Sequence, residues 1–179
     1  MRAVVLVHAP LVGPSTWRWV AEELRRHGHD VFVPVLRDDA ETGGERLQDS
    51  LVDRAASAVP PDSDVVLVGH SGGGMLLPLI ADRSSARSVR YVFVDSGLSP
   101  AEGALELAGD EFRASLQKRV EPDGRLPGWH TWWGDDAMDW MVTDAERRAE
   151  VIVYIPRLAL AYFDVQRPLP AGWRSSLCG

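Results

Sequence analysis

The residues with the clearest chemical potential are Gly69-His70-Ser71-Gly72-Gly73. A serine hydroxyl is a weak nucleophile. It attacks a carbonyl carbon effectively only when a base takes its proton and donors stabilise the oxyanion that forms. The G-x-S-x-G spacing bears on this through the backbone. Where a strand turns directly into a helix at the serine, the residues two before and two after it stand too close for side chains, and the serine is strained. Gly69 and Gly73 meet that demand, with apolar Val65–Val68 leading in and Met75-Leu76-Leu77 leading out. The Ser71 hydroxyl would then lie at a helix N-terminus, where free N–H groups and the helix dipole favour developing negative charge. The Gly72 N–H would be one oxyanion donor. A glycine-rich turn capped by an ordinary serine has the same letters; the flanking apolar runs favour the nucleophile.

Such a turn needs strands and helices to hold it. Four Val-rich runs, 3–7, 31–35, 65–68 and 89–94, read as strands buried on both faces. After the first, Ser15 or Thr16 can cap a helix with Trp17, Val20, Ala21 and Leu24 on one side, and Gly28 can stop it. Leu47, Leu51, Ala55 and Val59 mark a second helix, ended by Pro60 and Pro61. The alternation predicts an α/β fold with a mostly parallel sheet of four or more strands. From Ser99 to about Trp173 the pattern predicts helical pieces and no strand. One begins near Asp110 with Phe112 and Leu116; another opens at a Thr143–Glu146 capping box and runs toward Ile155.

On Val4-Val5-Leu6-Val7-His8 with the Gly/Pro loop and Trp17 that follow, Val33-Pro34, the Ser71 motif and Val92-Phe93-Val94-Asp95, residues 2–98 resemble the α/β-hydrolase superfamily. The nearest branch is the one of small esterases, methylesterases and hydroxynitrile-lyase-like proteins. The resemblance implies a core over 1–98, a helical cap over 99–173, and the start of the next core strand at 174–179. It also implies that strand 3–7 lies between strands 31–35 and 65–68, which makes a ligand-binding switch point at their carboxyl ends. The loop after His8 would supply a second oxyanion N–H. Pro10 has none, so the donor is Leu11 or Ala9. His8 is expected to tie this loop and His70 to pack beside the turn.

The family orders its machinery as serine, acid, histidine, the histidine following the last strand. Asp95, after the fourth run, is a candidate acid or a turn residue. The only histidine after Ser71 is His130, in Gly128-Trp129-His130-Thr131-Trp132-Trp133. A base must reach about 2.6–3.2 Å from the serine oxygen, and a cap loop is a poor platform for it. His130 is therefore expected beyond reach of Ser71, as a cap or pocket residue. The resemblance further implies two more strand–helix units and a C-terminal histidine, so the chain reads as a truncated member with strand 89–94 as an open edge.

Composition narrows the function. The 179 residues carry 19 basic and 26 acidic side chains, net −7, which argues against a nucleic-acid partner. With 45% hydrophobic residues and no long apolar run, a soluble single domain without a membrane anchor is expected. The single Cys178 and the absence of any Cys/His cluster point to a reducing, cytoplasmic setting with no metal or cofactor. Asp38-Asp39 and Asp135-Asp136 read as loop and cap residues, and the 18 Arg against one Lys as coding bias. Five of the seven Trp lie at 129, 132, 133, 140 and 173, in the cap segment. Trp129, Trp132 and Trp133, with His8 and His130, are pocket candidates for a bulky apolar group. The leading expectation is a serine hydrolase acting on a small-molecule ester, lactone or thioester. The alternatives are a lyase or cyclase using the same pocket, and a hydrolase-like protein that binds a small apolar ligand without turnover.

Overall fold

The computed structural model describes residues 2–134 and 136–177; Asp135 and Cys178 lie outside the described residues. The sheet begins with β1 (Ala3–Val7), and the first helix, α1 (Arg18–Arg26), follows a 3₁₀ turn at Pro14–Trp17. Strand β2 (Asp30–Phe32), helix α2 (Gly44–Ser57) and strand β3 (Asp64–His70) come next. Two helices, α3 (Gly72–Met75) and α4 (Leu77–Arg83), lead to strand β4 (Ser88–Val94). The order is β2-β1-β3-β4, all parallel, as the resemblance implied.

Strand periodicity sorts the core into two layers. Val4, Leu6 and Val31 face Trp17 and Ala21 on one side. On the other side Val5, Val7, Val65 and Leu67 pack with Leu47, Leu51, Ala55 and Ile80 of α2 and α4. Strand β2 stops at Phe32, short of the expected Val35, because Pro34 has no N–H for the ladder. Pro78 has the same effect after the turn: it cannot donate to a preceding carbonyl, and the helix breaks between Met75 and Leu77. Neither Ser15 nor Thr16 caps α1; Thr16 Oγ1 instead donates to the Gly13 carbonyl at 2.8 Å.

Beyond Asp95 the chain departs from the strand-free expectation. Strands β5 (Ala104–Glu106) and β6 (Gln166–Pro168) pair antiparallel across some sixty residues of chain. Three-residue strands are too short to show a period, and their pairing is non-local, so the sequence pattern hides them. Between them lie α5 (Asp110–Gln117), α6 (Ala137–Met141) and α7 (Ala145–Val153). Asp144, one residue after the expected Thr143, caps α7 by accepting from the Arg147 N–H at 2.9 Å. The segment read as the approach to another strand is a 3₁₀ turn at Trp173–Leu177. It packs back on β4, with the Trp173 ring edge-on to Tyr91 at 6.0 Å and Trp173 Nε1 donating to the Pro100 carbonyl. Strand β4 is the sheet edge among the described residues, with Val92 and Val94 exposed. Among them no helix is long and apolar enough to cross a membrane.

Candidate active site

Ser71 sits between β3 and α3 at φ 51° and ψ −130°, the strained geometry that a direct strand-to-helix turn imposes. Three glycines make the turn possible. A Cβ on Gly69 would stand 2.4 Å from Gly74 Cα, one on Gly73 2.5 Å from the His8 carbonyl oxygen, and one on Gly74 2.2 Å from Ser96 Oγ. The Ser71 N–H donates to the Val94 carbonyl at 3.0 Å, and its own carbonyl accepts from Gly74 N–H and from Ser96 Oγ at 2.7 Å. Ser96 is a brace that the motif did not reveal; only its place after the neighbouring parallel strand points to it.

The loop after β1 closes over the turn, with Pro10 Cδ 3.7 Å from where a Gly72 Cβ would be. The Gly72, Leu11 and Ala9 N–H groups have no acceptor among the described residues, so the geometry does not choose between Leu11 and Ala9 as the loop donor. The Ala9 carbonyl is engaged by the Val12 N–H and by His8. His8 is buried beneath this loop: its Nε2 accepts from the Leu36 N–H at 3.0 Å, which fixes the proton on Nδ1, donated to the Ala9 carbonyl at 2.9 Å. Burial lowers its pKa to about 4. It is therefore a neutral strut that ties two loops together, and it does not line the cavity.

That cavity, of about 550 Å³, lies over Ser71. Ala9, Leu11, His70, Gly72 and Asp95 line its floor, and Leu107, Phe112, Trp129, Trp140, Met141, Tyr162 and Phe163 its walls. The structure thus brings Ser71, Gly72, Ala9, Leu11, Asp95 and Trp129 together. It leaves out His8, His130, Trp132 and Trp133. Trp132 Nε1 donates to the Pro127 carbonyl and Trp133 is exposed; the Arg119 guanidinium covers both rings at 5.4 and 5.8 Å. Trp140 stood out only as one of the clustered cap tryptophans and Phe112 only as a helix residue, and Leu107, Met141, Tyr162 and Phe163 carried no signal, since they come from short elements brought together by tertiary packing.

No histidine hydrogen-bonds to the Ser71 hydroxyl among the described residues. His130 packs against Gly128, whose absent side chain leaves room for the ring. His27 pairs with Glu23 on the exposed side of α1. His70 lies edge-on to Trp17 at 6.1 Å; desolvation lowers its pKa, opposed by the charge of Asp95. Asp95 itself adopts φ 45°, is exposed and lines the cavity, where a turn role and a charge near the site coincide.

Comparison with known proteins agrees with this geometry. A family model described as the Alpha/beta hydrolase family matches residues 4–178. The carbendazim hydrolyzing esterase of Nocardioides sp. (strain SG-4G) is 30% identical over 129 residues, which is 69% of this chain and 50% of that protein. Esterase PIR7B of Oryza sativa subsp. japonica is 29% identical over 131 residues, covering 68% and 47%. The chain therefore spans about half the length of the curated relatives it matches. Among solved structures, an extracellular alpha/beta-hydrolase from a Paenibacillus species superposes with TM-score 0.66 at 20% identity, over 99% of this chain and 74% of that one. A polyneuridine aldehyde esterase mutant superposes with TM-score 0.65 at 18% identity, over 94% and 74%. With the family match spanning nearly all of the sequence, the chain belongs to the alpha/beta hydrolase family.

Proposed function

We propose that this protein is an ester hydrolase in which Ser71 attacks the carbonyl of a bulky apolar ester, lactone or thioester. The observation that carries the reading is the strained Ser71, its hydroxyl at the floor of an apolar cavity beside the free N–H groups of Gly72, Leu11 and Ala9. In the reaction the serine oxygen adds to the carbonyl carbon, its proton passes to a general base that none of the described residues holds at hydrogen-bond distance, and the N–H groups receive the negative charge on the carbonyl oxygen. Collapse expels the alcohol or thiol, and water then releases the acid. The esterase relatives support the reaction class, and the apolar walls support the bulky substrate.

A second reading rests on the Ser71 hydroxyl having no hydrogen bond from a histidine among the described residues: the cavity binds a small apolar ligand without turnover. A fluorophosphonate probe separates the two. On the protein expressed from its complete gene, labelling of Ser71 that disappears in Ser71→Ala supports the hydrolase. A folded protein that stays unlabelled yet binds apolar ketones supports binding alone.

A further inference from the structure

The peptide group joining Ser71 to Gly72 has two ends, and the chemistry above uses only one of them. Its N–H has no acceptor among the described residues, whereas its carbonyl is held twice. The peptide is trans and planar, so the N–H and C=O bonds point in opposite directions, and whatever grips the carbonyl aims the N–H. One grip, the Gly74 N–H at 3.0 Å, belongs to the helix start. The other, Ser96 Oγ at 2.7 Å, comes from the neighbouring strand, two residues past the end of β4, whose Val94 carbonyl also accepts the Ser71 N–H. Gly74 makes room for it: a Cβ there would stand 2.2 Å from Ser96 Oγ and 2.7 Å from Ser96 Cβ. This glycine lies outside the G-x-S-x-G spacing, and its missing side chain is the space that Ser96 fills.

We propose that Ser96 is a positioning residue for the oxyanion site: by gripping the Ser71 carbonyl it aims the Gly72 N–H at the oxygen on which negative charge develops. This rests on the reading of Ser71 as the nucleophile of an ester hydrolase. The grip also tightens with the reaction. When the Gly72 N–H donates to an oxyanion the peptide polarises, its carbonyl becomes a stronger acceptor for the Ser96 hydroxyl, and the bond gains most when the charge is present. The other acceptor near that hydroxyl is the Gly97 carbonyl at 2.8 Å, and polarisation draws its single proton toward Ser71.

The test compares two ketones on the protein expressed from its complete gene. One is 4-phenyl-2-butanone, which only binds. The other is its trifluoromethyl ketone analogue, whose carbonyl carbon bonds to Ser71 Oγ, with the electron pair left on oxygen and the serine proton passed to the base. Calorimetry gives both affinities, and fluorine NMR gives the pH at which the hemiketal loses its proton. Ser96→Ala is expected to weaken the trifluoromethyl ketone about ten-fold or more and to leave the methyl ketone unchanged. The hemiketal proton should then come off at a higher pH than in the parent protein. Ser96→Cys, close in volume and a weak donor, should show the same selective loss at smaller size, and it decides the matter if Ser96→Ala does not fold. Equal weakening of both ketones, or no change in either, overturns the proposal and leaves the ester site standing. A parent protein that forms no hemiketal overturns the hydrolase reading and this proposal with it.

Discussion

The turn at Ser71 and the cap above it are held by different physics. Around the turn the backbone is packed against itself: added Cβ atoms on Gly69, Gly73 or Gly74 would meet atoms at 2.2–2.5 Å. In the cap, a Cβ on Gly103, Gly109, Gly124 or Gly134 would meet nothing within 4 Å, and one on Gly128 would meet only side chains, the His130 ring at 2.7 Å first. Apart from close backbone approaches at Gly13 to Tyr154 and at Gly44 to Ala161, what secures the cap is side chains, above all arginines. Arg167 of β6 reaches Glu45 and Asp49 on α2, Arg18 of α1 pairs with Glu150, and Arg125 donates to the Asp39 carbonyl. The guanidinium groups that the composition made look incidental join the cap to the core. The reacting atoms are thus fixed by sterics, and the walls that would choose a substrate by longer, more adjustable contacts.

The sharpest way to break this contrast is one methyl group in each region. Gly73→Ala is expected to cost about 3 kcal/mol or more, because the clash is with the backbone of β1 and its loop and cannot be relieved by a rotamer. Gly109→Ala should cost less than about 1 kcal/mol. Urea unfolding midpoints decide; similar losses for the two would remove the distinction.

The buried strut comes next. His8 has a folded-state pKa near 4, below its ordinary 6.5, so between those values the unfolded chain binds a proton that the folded chain refuses. Stability is then full above about pH 6.5 and falls on acidification, by on the order of 3 kcal/mol at pH 4. Subtracting the stability–pH curve of His8→Asn from that of the parent should isolate this slope. A flat difference would show that His8 is protonated in the fold.

How far these features were legible follows the same division. The glycine spacing around Ser71 reports a steric demand between near neighbours in sequence, and the Val-rich runs report the sheet, so the turn and the four strands could be read directly. Gly72 and Leu11 or Ala9 were expected as donors because the helix start leaves N–H groups free and Pro10 lacks one, and their N–H groups have no acceptor among the described residues. The cap gave less. Trp132 and Trp133 look like pocket residues by composition but face Arg119, whereas Tyr162 and Phe163 enter the cavity through a turn held by Gln48 more than a hundred residues away. No local pattern encodes such a contact.

Two cap substitutions sharpen the account further. Arg167 is 15% exposed and bridges two carboxylates on α2, so Arg167→Ala should lower stability by about 1–2 kcal/mol, read from the thermal midpoint. Trp140 is 70% exposed yet lines the cavity, so Trp140→Ala should change stability by less than about 0.5 kcal/mol while weakening ketone binding several-fold in calorimetry. A large stability loss there would place Trp140 in the core of the cap instead.

The division of labour proposed for the site can be measured in one assay. On that reading the chain supplies Ser71 as nucleophile, N–H groups for the oxyanion and the cavity, while among the described residues no histidine hydrogen-bonds to the Ser71 hydroxyl. Steady-state hydrolysis of p-nitrophenyl butyrate by the 179-residue chain should therefore match that of its Ser71→Ala variant. A rate well above that of Ser71→Ala, abolished by His130→Ala or His70→Ala in a folded protein, would contradict this account by showing a working base within these residues.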